Sequence, residues 1–331
     1  MLMKKLSGQT WFLATVIVAS CAAIAYVVLI DAPARNLSAA GPDKRLTLEK
    51  IPFDGTQAYE YLQDICALGS RISGSPGMTR QQEILREHFE KQGAKVTMQP
   101  FRVRHPANGS AVEMANMVIE WQPDTKQRIL IGAHYDTRPR PDQDPIDPNG
   151  PFVGANDGAS GVALMMQLGE SVKKLDGKLG VDFVLFDGEE FIFNDRDEYF
   201  LGSTHFAEDY VAHPPKHTYK AGVLLDMVGD KDLEIYQEGN SLDWPASRSV
   251  VNSVWAMAKK LGVREFVPRL GPTVNDDHIP LNRKAKIPTC DVIDFEYPHW
   301  HTRGDTADKC SALSLAKVGW VMAEWLKSVT R

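Results

Sequence analysis

The sequence predicts an α/β fold in which a single domain contains a mixed, largely parallel β-sheet sandwiched by helices. Three observations lead to it: six short apolar runs typical of buried strands, amphipathic helical segments between several of them, and no internal repeats. The composition permits such a fold, because 331 residues with 43% hydrophobic content can bury a large core. The net charge of −6, without a dense Lys/Arg run, argues against nucleic acid as a partner.

The N-terminal region indicates a membrane segment. Lys4 and Lys5 precede an uncharged stretch, residues 11–30, which is about the roughly 20 residues that a bilayer-crossing helix needs. The basic end should remain in the cytoplasm. We therefore expect an anchor in residues 1–30, a linker in 31–50 and a main domain in 51–331 that lies outside the cytoplasm, periplasmic or extracellular. Cleavage as a signal peptide would instead make the protein secreted.

The four cysteines, at positions 21, 66, 290 and 310, contain no CxxC pair. Residues 18–21 resemble a bacterial lipoprotein cleavage box, which leaves lipidation of Cys21 as an alternative. The apolar run continues to Ile30, however, and this favours an uncleaved anchor. We predict no disulfide, since the spacing lacks the even ladder of small stapled domains.

The helices and strands alternate along the chain from residue 56. One helical face contains Tyr59, Leu62, Ile65 and Cys66 and ends near Gly69, and a second contains Ile84, Leu85, His88 and Phe89 and ends at Gly93. Strands are predicted at 96–103, 114–121, 128–133, 181–186, 221–225 and 289–293. Further helices are predicted at about 158–175, 246–261 and 313–328. This order predicts a mixed sheet with helices on both faces.

Polar residues follow three of the predicted strands. His134 and Asp136 follow the third strand, Glu189 and Glu190 follow the fourth, and Asp226 follows the fifth. Ligands of open α/β sheets bind beyond the carboxyl ends of the strands, so these side chains should meet in one crevice.

Three residues from this region suit a zinc ion. Asp157 lies in a loop of Gly, Ala, Asn and Ser that opens a helix, Glu190 follows a strand, and His301 follows the last strand. Two carboxylates and an imidazole form a three-ligand zinc site with an open fourth position. Adjacent residues leaving a strand point in different directions, so one glutamate of the pair can ligate a cation while the other faces the substrate as a proton carrier.

These motifs, taken in order from His134 to His301, resemble the zinc aminopeptidase family that includes the glutaminyl cyclases. The resemblance covers residues 56–329 and implies a mixed sheet between helices, a zinc aminopeptidase/glutaminyl cyclase-like fold. It also implies zinc ligands at Asp157, Glu190 and His301, and a general acid/base at Glu189. The implied substrates are the N-termini of peptides or proteins, and the expected state is a monomer.

Two kinds of enzyme in the family need to be separated. Its two-metal aminopeptidases hold a second zinc, for which His134 and Asp226 would be ligands and Asp157 the bridge. Its glutaminyl cyclases use one zinc, and the resemblance implies that Asp226 and Asp276 join Glu189 in a hydrogen-bonded network.

The segment 275–280 and Trp300 resemble cyclases, so we expect a glutaminyl-peptide cyclotransferase that works with one zinc ion. The alternatives are a metallo-aminopeptidase and an inactive binding ectodomain of the same fold. Cyclases of the animal type have a Trp soon after the Glu pair, where this chain has Phe193. The expected substrate contacts are Trp300, Phe193 and His278.

Overall fold

The structure, a computed structural model, describes residues 46–331. The predicted anchor, Cys21 and most of the predicted linker lie outside this range. Among residues 46–331, no helix combines the length and the apolarity needed to cross a bilayer. Leu46 and Leu48 already pack against the main core, so the end of the predicted linker belongs to the domain. Cys66, Cys290 and Cys310 are free thiols.

The described residues form eight strands and eight α-helices. The strands are β1 (Lys95–Arg104), β2 (Ala111–Trp121), β3 (Gln127–His134), β4 (Gly180–Phe186), β5 (Thr218–Asp226), β6 (Ile235–Gln237), β7 (Phe266–Leu270) and β8 (Thr289–Ile293). The helices are α1 (Gly55–Cys66), α2 (Pro76–Lys91), α3 (Gly161–Val172), α4 (Leu201–Ala212), α5 (Gly239–Asp243), α6 (Pro245–Leu261), α7 (His278–Arg283) and α8 (Ala312–Val329). Short 3-10 helices span Leu48–Lys50 and Ala307–Lys309.

Six of the strands form one mixed sheet in the order β1-β2-β4-β3-β5-β8. The β1/β2 and β2/β4 pairs are antiparallel, whereas β4/β3, β3/β5 and β5/β8 are parallel. All six predicted strands are present, and the predicted largely parallel sheet is confirmed. The parallel half matters for function, because β3, β4, β5 and β8 end at the same edge.

Helices cover both faces of this sheet because successive strand residues point to opposite sides. In β3, Ile129 and Ile131 belong to the larger core, with α1, α2, α3, α6 and α8. Leu130, between them in sequence, belongs to a smaller core on the other face, with α4 and α7. Every residue of β4 is buried, as expected for a strand between two helical layers.

Several elements were not predicted from the sequence. The small parallel sheet of β6 and β7, the helix α4 and the short helices α5 and α7 were missed. In α4 the buried positions include Gly202 and Ser203, so its apolar stripe is weak in the sequence. The predicted helix at 158–175 is also shorter, because α3 begins at Gly161 after an irregular turn, Ala155–Ser160.

Candidate metal and active site

The polar residues predicted at the strand ends meet at one edge of the sheet. His134 and Asp226 are the last residues of β3 and β5, and Glu189 and Glu190 lie in the turn just after β4, which ends at Phe186. A cavity of about 320 Å³ opens at this edge, lined by Asp157, Glu189, Glu190, Asp226, Asp276, His301 and a set of aromatic side chains. The expected crevice beyond the carboxyl ends of the strands is therefore present.

Asp157 reaches the cavity from the irregular turn that precedes α3. Gly158 has a φ of +95°, and a Cβ atom there would lie 2.7 Å from the Asp136 carbonyl oxygen, so only glycine fits. On the other side of the turn, the Asp305 carboxylate accepts hydrogen bonds from the backbone N–H groups of Asn156 at 2.8 Å and of Asp157 at 3.1 Å. The turn is thus held in place from both sides, and Asp157 is only 3% exposed.

Two groups of possible metal ligands share Asp157. One group consists of Asp157, Glu190 and His301, and the other of His134, Asp157 and Asp226; in each, the ligand atoms lie within 4.8 Å of one another. His301 Nε2 lies 2.8 Å from Glu190 Oε1 and 3.6 Å from Asp157 Oδ2.

In the second group, His134 Nε2 lies 3.3 Å from Asp157 Oδ1 and 3.2 Å from Asp226 Oδ1. The two carboxylate oxygens of Asp157 therefore face different histidines: Oδ2 faces His301 of the first group, and Oδ1 faces His134 of the second.

The first group has the properties of a cation site. Asp157 Oδ2 and Glu190 Oε2 are buried and have no hydrogen-bond partner, although buried carboxylate oxygens are almost always satisfied. Carboxylate oxygens and an imidazole nitrogen are donors that zinc accepts. These residues therefore fit a zinc ion, for which Asp157, Glu190 and His301 would be the ligands.

In this group, the charge of each side chain strongly affects the pKa of the others. Burial would raise the pKa of Glu190, but the charges of His301 and Arg138 prevail and lower it to about 2. Burial and the charge of Glu190 raise the pKa of Asp157 to about 6. Burial opposes protonation of His301, yet Glu190 and Asp142 raise its pKa to about 10. A bound metal ion would take the place of that imidazole proton.

Glu189 belongs to neither group of ligands and faces the cavity. Burial, the charge of Glu190 and that of Asp276 raise its pKa well above the ordinary value. The backbone N–H groups of Glu189 and Glu190 both donate to the Asp136 carboxylate, at 3.1 and 3.0 Å. Asp136 thus orients the backbone of the glutamate pair, and its carboxylate lies 3.6 Å from His134 Nδ1. A raised pKa and a cavity-facing position suit a residue that takes up and returns a proton.

Asp276 lines the same cavity as Glu189 and Asp226. Burial and the charges of Asp226 and Asp277 raise its pKa well above the ordinary value. Burial also raises the pKa of Asp277 to about 7, and its Oδ1 accepts a hydrogen bond from Ser203. Several acids thus share a small buried region, where clustered carboxylates resist simultaneous ionisation.

Aromatic side chains form the walls of the cavity. The Trp300 ring stacks on the His301 ring with centroids 3.7 Å apart and an angle of 25° between the planes. Phe295 lies beside Trp300, and Tyr199 and Phe200 also line the cavity. His301 itself has a φ of +54°, a conformation unusual for a residue other than glycine and frequent at functional sites.

Two predicted substrate contacts do not reach the cavity. His278 is 0% exposed, with its Nε2 3.2 Å from Glu238 and its Nδ1 3.7 Å from Asp291, so the expectation of direct contact is corrected. Phe193 packs against His105 and Phe191 and is not among the cavity-lining residues. The aromatic residues that line the cavity in place of Phe193 are Tyr199 and Phe200, which were not predicted from the sequence.

Three further polar residues near the ligands were also missed. Arg138 contacts Glu190, Asp142 contacts His301, and Asp305 holds the Asp157 turn. Arg138 could have been suspected, because it follows Asp136 by only two positions. Asp142 and Asp305 carry no signal of their own in the sequence, since they lie in polar loop segments.

Known proteins resemble this chain in sequence and structure. Residues 116–326 match the model of peptidase family M28. The crystal structure of Fimbriiglobus ruber glutaminyl cyclase is 42% identical, with a TM-score of 0.80, over 87% of this chain and 98% of that chain. A leucine aminopeptidase precursor from Bacteroides thetaiotaomicron is 31% identical, with a TM-score of 0.78, over 83% of this chain and 97% of that chain. The glutaminyl-peptide cyclotransferase of Bothrops jararaca is 27% identical over 284 residues, 75% of either protein.

Proposed function

The chain belongs to peptidase family M28 and is an enzyme of that family, and we propose that it is a zinc-dependent glutaminyl-peptide cyclotransferase. It would convert the N-terminal glutamine of a peptide to pyroglutamate and release ammonia. One observation carries the proposal: Glu189 and Asp276 share a small aromatic-walled cavity with the three-ligand group of Asp157, Glu190 and His301. The 42% identity to a glutaminyl cyclase structure supports it.

The three-ligand group would hold zinc, which when bound polarises the γ-carbonyl of the glutamine and stabilises the developing negative charge on its oxygen. In the reaction, a bond forms between the α-amine nitrogen and the side-chain carbonyl carbon. The bond from that carbon to the amide nitrogen then breaks. The nucleophile belongs to the substrate, so the chain needs to supply only orientation and proton transfer.

Glu189 is placed to carry the proton. It takes a proton from the attacking amine and returns it to the departing nitrogen, which leaves as ammonia. Its raised pKa brings the carboxyl closer to the range in which both steps proceed at neutral pH. Asp226 lies in the same cavity, where its carboxylate would accept a hydrogen bond from the amine or amide nitrogen.

The aromatic walls would favour cyclisation over hydrolysis. Trp300, Phe295, Tyr199 and Phe200 surround the reacting centre with apolar surface. Aromatic faces hold a water molecule that competes with the intramolecular amine less well than polar side chains would. Asp276, whose pKa is raised, would share a proton with the neighbouring acids and keep Asp226 oriented toward the substrate.

A second candidate function is a metallo-aminopeptidase. The observation in its favour is the second group of ligands, His134, Asp157 and Asp226, which could hold a second metal ion. In that case Glu189 would activate a water molecule that attacks the first peptide carbonyl. The leucine aminopeptidase precursor with a TM-score of 0.78 is consistent with this alternative.

The two functions give different products. We would incubate the purified protein with peptides that begin with glutamine or leucine, and measure ammonia and free amino acids. The proposal predicts ammonia release from the glutamine peptides without any free amino acid. Release of leucine without ammonia would establish the aminopeptidase, and absence of both products with a zinc-free protein would favour an inactive binding domain.

A further inference from the structure

We propose that Asp142, held by Arg138, is a positioning residue that fixes the metal ligand His301, and that Arg138 joins it to the ligand Glu190. The inference deepens the proposed function, on which it rests for the assignment of these two ligands. Arg138 and Asp142 both belong to the segment 138–150, here called the Arg138 loop.

Arg138 is the centre of the arrangement. Its side chain is buried, and its Nη1 donates to Glu190 Oε1 at 2.9 Å. Its Nε and Nη2 donate to Asp142 Oδ1 and Oδ2 at 2.8 and 2.9 Å. Such a two-bond arginine–carboxylate pair fixes the direction as well as the distance of the carboxylate. Arg138 therefore places Asp142 relative to Glu190.

Asp142 in turn faces the ring of His301. Its Oδ1 lies 3.3 Å from His301 Nδ1, and no other carboxylate in residues 46–331 is within ion-pair distance of that nitrogen. The opposite ring nitrogen, Nε2, points to Glu190 and Asp157. If Nε2 binds the metal, the ring proton must be on Nδ1. That buried nitrogen has no hydrogen-bond partner in residues 46–331, and Asp142 is the carboxylate that lies close enough to receive its proton. The carboxylate thus selects the tautomer and the ring orientation that ligation requires.

The Arg138 loop is also tied to the segments that carry both ligands. The backbone N–H of Gln143 donates to the His301 carbonyl at 3.1 Å, and that of Arg303 donates to Asp144 Oδ2 at 2.9 Å. On the other side, Arg140 Nη2 donates to the Phe193 carbonyl at 2.9 Å. These contacts keep the loop in a fixed position beside the site, as a positioning role requires.

Metal affinity separates this role from a purely structural ion pair. We would prepare the metal-free protein and its Asp142→Asn variant, and measure zinc affinity by competition with a chelating dye. Loss of an outer carboxylate that orients a ligand histidine typically weakens metal binding about 10–100-fold, and we expect a loss in that range. Asp147→Asn is the matched control, because Asp147 is in the same loop and its side chain is paired with the exposed Arg303 rather than with a proposed ligand. We expect its affinity to stay within about twofold of the wild type.

Two further measurements keep the test decisive. The absorption spectrum of the cobalt-substituted Asp142→Asn variant should shift with the altered ligand field, which loss of a purely structural ion pair would not cause. If Asp142→Asn does not fold, Asp142→Glu, which keeps the charge but displaces it by one methylene, should also bind zinc less tightly. Zinc affinity within about twofold of the wild type for either folded variant would overturn the proposal.

A double-mutant cycle tests the part assigned to Arg138. If Arg138 holds Asp142, the affinity loss from Asp142→Asn should be smaller in the Arg138→Gln background than in the wild type. Fully additive effects would overturn this part. A wild-type protein that binds zinc but releases no ammonia would refute the cyclase, while the affinity comparison would still decide the role of Asp142.

Discussion

Replacement of Glu189 with glutamine removes the proposed proton carrier while the size of the side chain is kept. The Glu189 side chain is only 12% exposed, so bulk water has little access to take over its proton transfer. Proton transfer by a positioned side chain usually contributes about 10²–10⁴-fold to the rate. We therefore expect kcat to fall by that factor, equivalent to about 3–5 kcal/mol of barrier.

The assay follows ammonia release from a glutamine peptide, together with the zinc content of each variant. Zinc should remain bound, because Glu189 belongs to neither group of ligands. Glu198→Gln is the matched control: it removes the same charge at an exposed position outside the cavity, and its rate should stay near that of the wild type. A Glu189→Gln variant that keeps its rate within tenfold would refute the reasoning. Loss of zinc from it would show that the roles of the two glutamates are exchanged.

Three other predictions follow from the same geometry. Asp157→Asn should abolish zinc binding and activity, because Asp157 belongs to both groups of ligands; retention of stoichiometric zinc would contradict its assignment. Gly158→Ala should lower the free energy of unfolding by more than the control Gly262→Ala. Both glycines have a positive φ, which costs about 1–3 kcal/mol for another residue, but of the two only Gly158 has backbone atoms where a Cβ would lie. Denaturant titration measures the difference in the free energy of unfolding, and equal losses for the two variants would contradict this packing argument. Trp300→Leu should raise KM for glutamine peptides more than it lowers kcat, since its indole lines the cavity without a polar role; a loss confined to kcat would contradict this.

The core strands were predictable because they are buried on both faces and therefore appear as continuous apolar runs. β4, with all of its residues buried, is the clearest example. Helix α4 was missed because its buried side includes Gly202 and Ser203. Strand β6 was missed because it has only three residues, and β7 because most of its residues are exposed and form no apolar run. Burial of small residues leaves no periodic apolar signal.

The ligand group was predictable for a different reason. Asp157, Glu190 and His301 each lie within short motifs that resemble a known family, and the structure brings all three together. Arg138 and Asp142 contact residues that are 52 and 159 positions away in the chain, Glu190 and His301. Such pairings depend on how the loops fold back over the sheet edge, so no local pattern reveals them. The same holds for His278, whose burial between Glu238 and Asp291 follows from packing.

The most direct test of the metal site is the anomalous diffraction signal at the zinc absorption edge from crystals of the purified protein. The assignment predicts one strong peak bounded by Asp157, Glu190 and His301, with no comparable peak between His134 and Asp226. A second peak of equal height there would contradict the one-zinc cyclase and favour the aminopeptidase. A zinc-soaked crystal without a peak among the three ligands would contradict the metal site itself.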